Sequence, residues 1–201
     1  MKKALIILGV LIIALGGFWL YNNSSKSDKL GDEGVDSDIK SIEVDGETYY
    51  EADYSDGDSA TRVKDLTFTL PTMFTGIESD DDSVNQNLYV DKSSGVMLSI
   101  SEQHSRSHKA YEKEIRDYLE DATDVEKFKV GKYTAYKFNY KEGKSIVECD
   151  FLILAGNTFY SGYMYHEGKV DDIQSEEPEA LPLSDKMVKE FNKLCNSLAF
   201  K

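Results

Sequence analysis

Four apolar runs follow one another between Phe128 and Tyr165, and the residue pairs that divide them leave the chain little choice of fold. The runs are Phe128 to Val130, Tyr133 to Tyr140, Ile146 to Leu154 and Thr158 to Tyr165, separated by Gly131-Lys132, Glu142-Gly143 and Gly156-Asn157. Glycine in such pairs supplies the left-handed backbone that a tight reversal needs. Connections this short join strands running in opposite directions, because a parallel neighbour needs a crossover of a dozen or more residues. The spacing predicts an antiparallel meander. Within Ile146 to Leu154, the residues Val147, Cys149, Phe151 and Ile153 share one face while Leu152 and Leu154 take the other, so this strand is expected to be central and covered on both sides.

Helices are expected to provide that cover. Between Ser107 and Ala122 the apolar positions are Tyr111, Ile115, Tyr118, Leu119 and Ala122, the three-and-four spacing of a helix with one buried face, and Ser107 is a natural N-cap. From Ser184 to Phe200 a second stripe holds Val188, Phe191, Leu194, Cys195 and Leu198, with Ser184 as N-cap and Asp185 at the positive helix end. Upstream, Leu66, Phe68 and Leu70 alternate before Pro71 in a half-buried strand, and Leu88 to Val90 and Val96 to Ile100 are further strands. Gly168 to Leu183, with Pro178 and Pro182, reads as a long loop. The expected fold class is α+β: an antiparallel β-sheet with helices packed on its faces, occupying residues 63–201.

The N-terminus points to a membrane. Residues 4–20 carry no charge, and as a helix they span about 26 Å, close to the roughly 30 Å hydrocarbon core. Trp19 and Tyr21 extend the run as interfacial anchors. Residues 1–21 therefore read as a transmembrane signal-anchor, embedded in the bilayer through residues 4–21. Lys2 and Lys3 precede the run and acids follow it, which places the N-terminus in the cytoplasm and the C-terminal domain outside. The alternative is cleavage after Ala14-Leu15-Gly16 and secretion, but this leaves Gly17, Phe18, Trp19 and Leu20 as an exposed apolar end. Residues 22–62, rich in Ser, Asp, Gly and Glu, read as an acidic flexible linker. Val44-Asp45-Gly46-Glu47 within it has hairpin chemistry, although a lone hairpin is marginal in water.

The formal charge of -14 excludes nucleic acid as a natural partner. The "DYSDGD" segment lacks the first and twelfth ligands of a calcium loop, where Ala52 and Val63 would stand, so it and "ESDDD" at 78–82 read as solvated acidic turns. His104, His108 and Glu112 stand four apart and would stack as metal ligands on a continuous helix, but a start near Ser107 leaves His104 in the preceding loop. Cys149 and Cys195 both fall on core faces, either as a disulfide or as two buried thiols. Tyr160, Tyr163 and Tyr165 around Gly162 are the candidate surface for a ligand or partner. No nucleophile elbow, phosphate loop or zinc-protease motif occurs, and no cofactor is expected.

The order of elements, and the stretches "LTFTLPTMF" at 66–74, "VGKYTAYKFNY" at 130–140 and "FNKLCNSLAF" at 191–200, resemble the PsbP-like family, the fold of the photosystem II extrinsic proteins shared by exported LpqN-type lipoproteins. Phe74 stands near the place of the family's usual Trp. The resemblance implies an α/β/α sandwich and a docking role in the bacterial envelope with no catalytic or metal residues. Together these readings give a membrane-anchored extracytoplasmic binding domain for an envelope protein or ligand. The alternative is an envelope hydrolase or ligand-dependent enzyme using acidic residues. Two converging buried carboxylates in a cleft would favour the enzyme, and a flat aromatic patch would favour docking.

Overall fold

The computed structural model describes residues 40–44, 47–52, 63, 65–78, 85–166 and 180–201. In chain order the elements are β1 (Ser41–Val44), β2 (Glu47–Tyr50), β3 (Leu66–Thr67), β4 (Phe74–Ile77), β5 (Asn85–Asp91) and β6 (Met97–Gln103). They continue with α1 (His108–Asp121), β7 (Thr123–Val130), β8 (Tyr133–Glu142), β9 (Ser145–Ala155), β10 (Thr158–Tyr165), α2 (Asp185–Ser197) and β11 (Ala199–Phe200). Residues 1–39, including the apolar run, lie outside the described residues, as do 45–46, 53–62, 64, 79–84 and 167–179. Among the described residues no helix is long and apolar enough to cross a membrane.

The meander is present. Strands β7, β8, β9 and β10 pair successively and antiparallel, with Gly131, Gly143 and Gly156 at positive φ in the three turns. A second run of hairpins, β4-β5-β6, joins it through an antiparallel β6–β10 pairing, giving a seven-stranded sheet in the order β4-β5-β6-β10-β9-β8-β7. Both helices start where their caps stand: Ser107 Oγ accepts from the Ala110 N–H at 3.3 Å, and Ser184 Oγ accepts from the Met187 N–H at 3.3 Å.

The expected fold class is corrected. Of the described residues 53% are strand and 21% helix, with two helices among them, so the protein is predominantly β and the α+β, helix-layered PsbP-like α/β/α sandwich is not what the chain builds. The physical reason lies in how the sheet is covered. On one face α2 sets Phe191, Leu194 and Cys195 against Cys149, Phe151 and Ile153, but extended chain supplies the rest through Val63, Leu66, Phe68, Leu70 and Met73. On the other face α1 covers only the β8–β10 end, where Tyr111 and Ile115 meet Phe138, Leu152 and Phe159. The remaining cover there is the β1–β2 hairpin, which buries Ile42 and Val44 against Ile77 and Val90. Extended chain thus does half of what helical layers were expected to do.

Two local readings change with it. Ser41–Val44 and Glu47–Tyr50, assigned to the acidic linker, pair antiparallel, and the pair is stable because β4 and β5 bury its inner face. Its end also borders the sheet, with the Ala52 N–H donating to the Gly76 carbonyl at 3.0 Å and the Glu78 N–H to the Tyr50 carbonyl at 2.9 Å. The strand read at Leu66–Leu70 is only Leu66–Thr67, because it pairs antiparallel with β11 alone and the residues that would pair beyond Thr67 precede Ala199, where α2 has just ended at Ser197.

Candidate functional site

The residues between α1 and the hairpin form a polar strip on an otherwise apolar sheet. Antiparallel register fixes which side chains share this face. One row across the strands runs Leu88, Ser99, Tyr163, Asp150, Phe138, and the next runs Val90, Met97, Tyr165, Glu148, Tyr140. A third holds Ser101 and Ser161, whose hydroxyls lie 2.8 Å apart. Leu88 belongs to the hairpin's cluster and Phe138 to the helix's, so Ser99, Tyr163 and Asp150 occupy the gap.

Depth varies across the strip. Ser99 is wholly buried and Asp150 is 5% exposed, whereas Glu148, Tyr163, Tyr165, Tyr140 and Tyr118 are half-buried. Tyr163 and Tyr165 present their rings side by side, centroids 5.6 Å apart and tilted 33°. Tyr118 comes from α1, and the Tyr140 hydroxyl donates to its carbonyl at 3.0 Å, tying the helix to β8 at the edge of the strip. The floor is therefore acidic and buried, and the rim is phenolic and reachable.

Glu148 and Asp150 hydrogen-bond to each other. Burial raises the Asp150 carboxyl well above the usual carboxylate range, and the negative charge and hydrogen bond of Glu148 raise it further. Burial also raises Glu148, while its hydrogen bond with Asp150 opposes the rise. Both carboxyls are thus raised by burial, and the pair titrates as a unit. Burial, with the charges of Glu114 and Asp150, pushes the Tyr118 phenol up to about 12, and burial likewise raises Tyr140 and Tyr163.

Two buried side-chain atoms among the described residues make no hydrogen bond of ordinary geometry, and both belong to this strip: Ser99 Oγ and Asp150 Oδ1. Ser99 lies toward the Tyr163 hydroxyl, whose rise it moderates. A buried acceptor left without a donor costs about 1–3 kcal/mol. The two stand on opposite sides of Tyr163, Ser99 on β6 and Asp150 on β9.

The structure divides the three tyrosines read together from the sequence. Tyr163 and Tyr165 are on the strip, but Tyr160 is 2% exposed on the opposite face, its ring 5.4 Å from that of Phe200. Strand alternation explains the split, since an even spacing keeps Tyr163 with Tyr165 and an odd one sends Tyr160 to the other side. The histidines do not converge. The His104 Nε2 lies 2.6 Å from Glu102 Oε1 and its Nδ1 3.2 Å from Thr158 Oγ1. His108 instead donates from Nδ1 to the Gly156 carbonyl at 2.5 Å, with Glu112 3.6 Å from its other nitrogen. No set of three His, Cys, Asp or Glu side chains among the described residues is placed to hold a metal.

Cys149 and Cys195 are brought into one core cluster but are not bonded. Burial pushes the Cys149 thiol up to about 12 and raises Cys195 as well, the opposite of an activated nucleophile. The reading from sequence missed Glu148, Asp150 and Ser99. The signal was in "VECDF", where two carboxylates at alternate positions interrupt the apolar residues of a central strand. No family model and no curated protein sequence matches the chain.

Proposed function

We propose that the chain is a membrane-anchored extracytoplasmic binding domain of the bacterial envelope, and that it engages its ligand at the Tyr163–Tyr165 strip without catalysis. The observation that carries this reading is the pair of half-buried tyrosine rings beside the buried Asp150, whose Oδ1 makes no hydrogen bond. Aromatic walls over a few fixed polar groups are what recognition sites use to gain contact area and orientation together. The charge asymmetry about residues 4–21 supports the location.

The Glu148–Asp150 pair favours a second reading, a hydrolase using the shared proton. Its geometry is unfavourable for glycoside chemistry, in which the two carboxyls stand about 5–9.5 Å apart and do not bond to each other. A proton-sharing dyad that activates water remains chemically coherent with the pair.

In-cell photocrosslinking separates the two. With p-benzoylphenylalanine at Tyr165, intact cells should yield a discrete adduct with an envelope component, lost when Tyr163→Ala is added, and none from the same probe at Lys113 on the outer side of α1. Equal labelling from both positions, or none from Tyr165, rejects the binding role. Turnover of wall-derived substrate that disappears in Glu148→Gln moves the assignment to the hydrolase.

A further inference from the structure

We propose that the outer edge of β7 receives an extended acidic peptide segment of a partner protein, which adds to the sheet as an eighth strand with its carboxylates opposite Lys127 and Lys129. This surface is separate from the Tyr163–Tyr165 strip and does not depend on it. The seven-stranded sheet has two edges, β4 and β7. The β4 edge is taken by the chain itself: Glu51 bridges to Ile77, the Ala52 N–H donates to the Gly76 carbonyl, and the Glu78 N–H donates to the Tyr50 carbonyl. Among the described residues nothing pairs with the outer side of β7, whose eight residues pair with β8 alone. A free edge of this length is a template for another strand.

Register decides which groups that edge offers. Val130 and Tyr133 flank the two-residue Gly131-Lys132 turn, and residues flanking such a turn form a hydrogen-bonded pair. Alternation then turns the backbone groups of Val130, Phe128 and Glu126 inward to β8 and leaves the N–H and carbonyl of Lys127 and Lys129 facing outward. The side chains of the same two residues are exposed cations with no ion pair among the described residues. The Lys127 Nζ lies 5.7 Å from the centre of the Tyr136 ring, and the Lys129 Nζ donates to Thr134 Oγ1 at 2.9 Å. The acids of β7 are already matched, Glu126 by Lys137 at 3.0 Å and Asp124 by Lys141 at 2.6 Å. Val125 on the same strand is 47% exposed, one of two large apolar side chains so exposed among the described residues.

Charge selects the occupant. A second copy of the chain is disfavoured, because two-fold antiparallel registers centred on Glu126, Lys127 or Phe128 place Glu126 opposite Glu126, Lys127 opposite Lys127, or Lys127 opposite Lys129. A strand with acids at alternate positions meets both ammonium groups with opposite charge and exchanges backbone hydrogen bonds at the same two residues. The residue between those acids lies on the other face, opposite the half-buried Phe128, where a β-branched apolar side chain fits. The recognised pattern is acid, apolar, acid in an extended chain.

The test titrates the full chain in detergent micelles with fluorescently labelled acetyl-Thr-Glu-Val-Glu-Thr-amide, followed by polarisation, and reads backbone amide exchange of the protein by NMR. Controls are the same peptide with Lys in place of both Glu, the same peptide N-methylated at both Glu, and inorganic triphosphate as a competitor. The acidic peptide should bind saturably and slow exchange of the Lys127 and Lys129 amides about tenfold or more. It should bind about tenfold more weakly to a Lys127→Glu, Lys129→Glu double variant, which should prefer the lysine peptide instead. Both positions are exposed, so this variant should fold as the parent does. The N-methylated peptide keeps the charge but loses the strand's donors, and it should bind more weakly by a similar factor. Equal binding of the N-methylated peptide, or full displacement by equimolar triphosphate, shows a simple anion patch and overturns strand addition. Absence of saturable binding, or binding unchanged in the double variant, overturns it as well. Slow exchange of those two amides before any peptide is added shows an edge already occupied and does the same. Crosslinking from Tyr165 reads the strip separately, so either surface can fail while the other stands.

Discussion

Gly162 on β10 faces Phe151 on β9 as its direct partner, and a Cβ on Gly162 would stand within 3.0 Å of three carbons of the Phe151 ring. The glycine is there to let a phenylalanine lie across its strand, in the cluster where Phe151 also meets Phe191 with ring centroids 6.2 Å apart. Gly162→Ala is expected to destabilise the fold by about 1–3 kcal/mol, since neither strand can yield without disturbing the central sheet. Chemical denaturation of the two proteins checks this. Pairing it with Phe151→Leu should restore part of the loss, the signature of two residues that share one volume.

The acid pair makes stability fall as pH rises. Asp150 and Glu148 hold their proton more tightly folded than unfolded, where they ionise near the ordinary values of 3.8 and 4.5. Between those values and the raised ones the unfolded chain binds fewer protons, so each step up in pH favours unfolding. Melting temperature measured from pH 4 upward should decline through this interval. In Asp150→Asn, which cannot ionise, the decline should be shallower, and an unchanged slope would show that the pair does not govern it.

Asp91 acts in the opposite direction. At the β5–β6 turn it accepts from the Ser93 N–H at 3.1 Å and from the Ser94 hydroxyl at 2.7 Å. Burial opposes its ionisation, but these hydrogen bonds outweigh it and hold the carboxyl below 3.8. Its contribution is present above that value and lost as pH falls through the lowered one. Asp91→Ala should cost about 1–3 kcal/mol at neutral pH and much less in strong acid. Parallel denaturation curves at the two conditions measure the difference.

The two cysteines should be inert in the folded protein. Cys149 is wholly buried and Cys195 is 1% exposed, and burial keeps both thiols protonated. Ellman's reagent should react with both only at the rate of global unfolding and should count two thiols per chain in denaturant. Rapid labelling of either in native conditions would place it at a surface.

What could be read from the sequence followed the range of the forces involved. Strands β7–β10 and α1 were legible because turn glycines, caps and periodicity are encoded within a few residues; Ser107 and Ala122 do bound the helix as expected. The cover of the sheet was not legible. Ile42 and Val44 look like stray apolar residues in an acidic stretch until β4 and β5 place Ile77 and Val90 beneath them. The strip failed for the same reason in part. Alternation alone separates Tyr160 from Tyr163, but Ser99 enters the row from β6 as the partner of Tyr163, more than 45 positions before Asp150 in the chain, and its place depends on which strands meet.

That meeting has a kinetic consequence. Each half of the sheet can zip locally from its own hairpins, but the β6–β10 seam joins positions such as Ser101 and Ser161, sixty residues apart. Closing so large a loop is paid in chain entropy before any contact rewards it, so non-local pairing of this kind slows folding. Ser99 lies on one side of the seam, and Tyr163 and Asp150 lie on the other. The polar strip thus comes into being only with the last long-range pairing, and a chain that has formed both halves but not joined them does not yet have it.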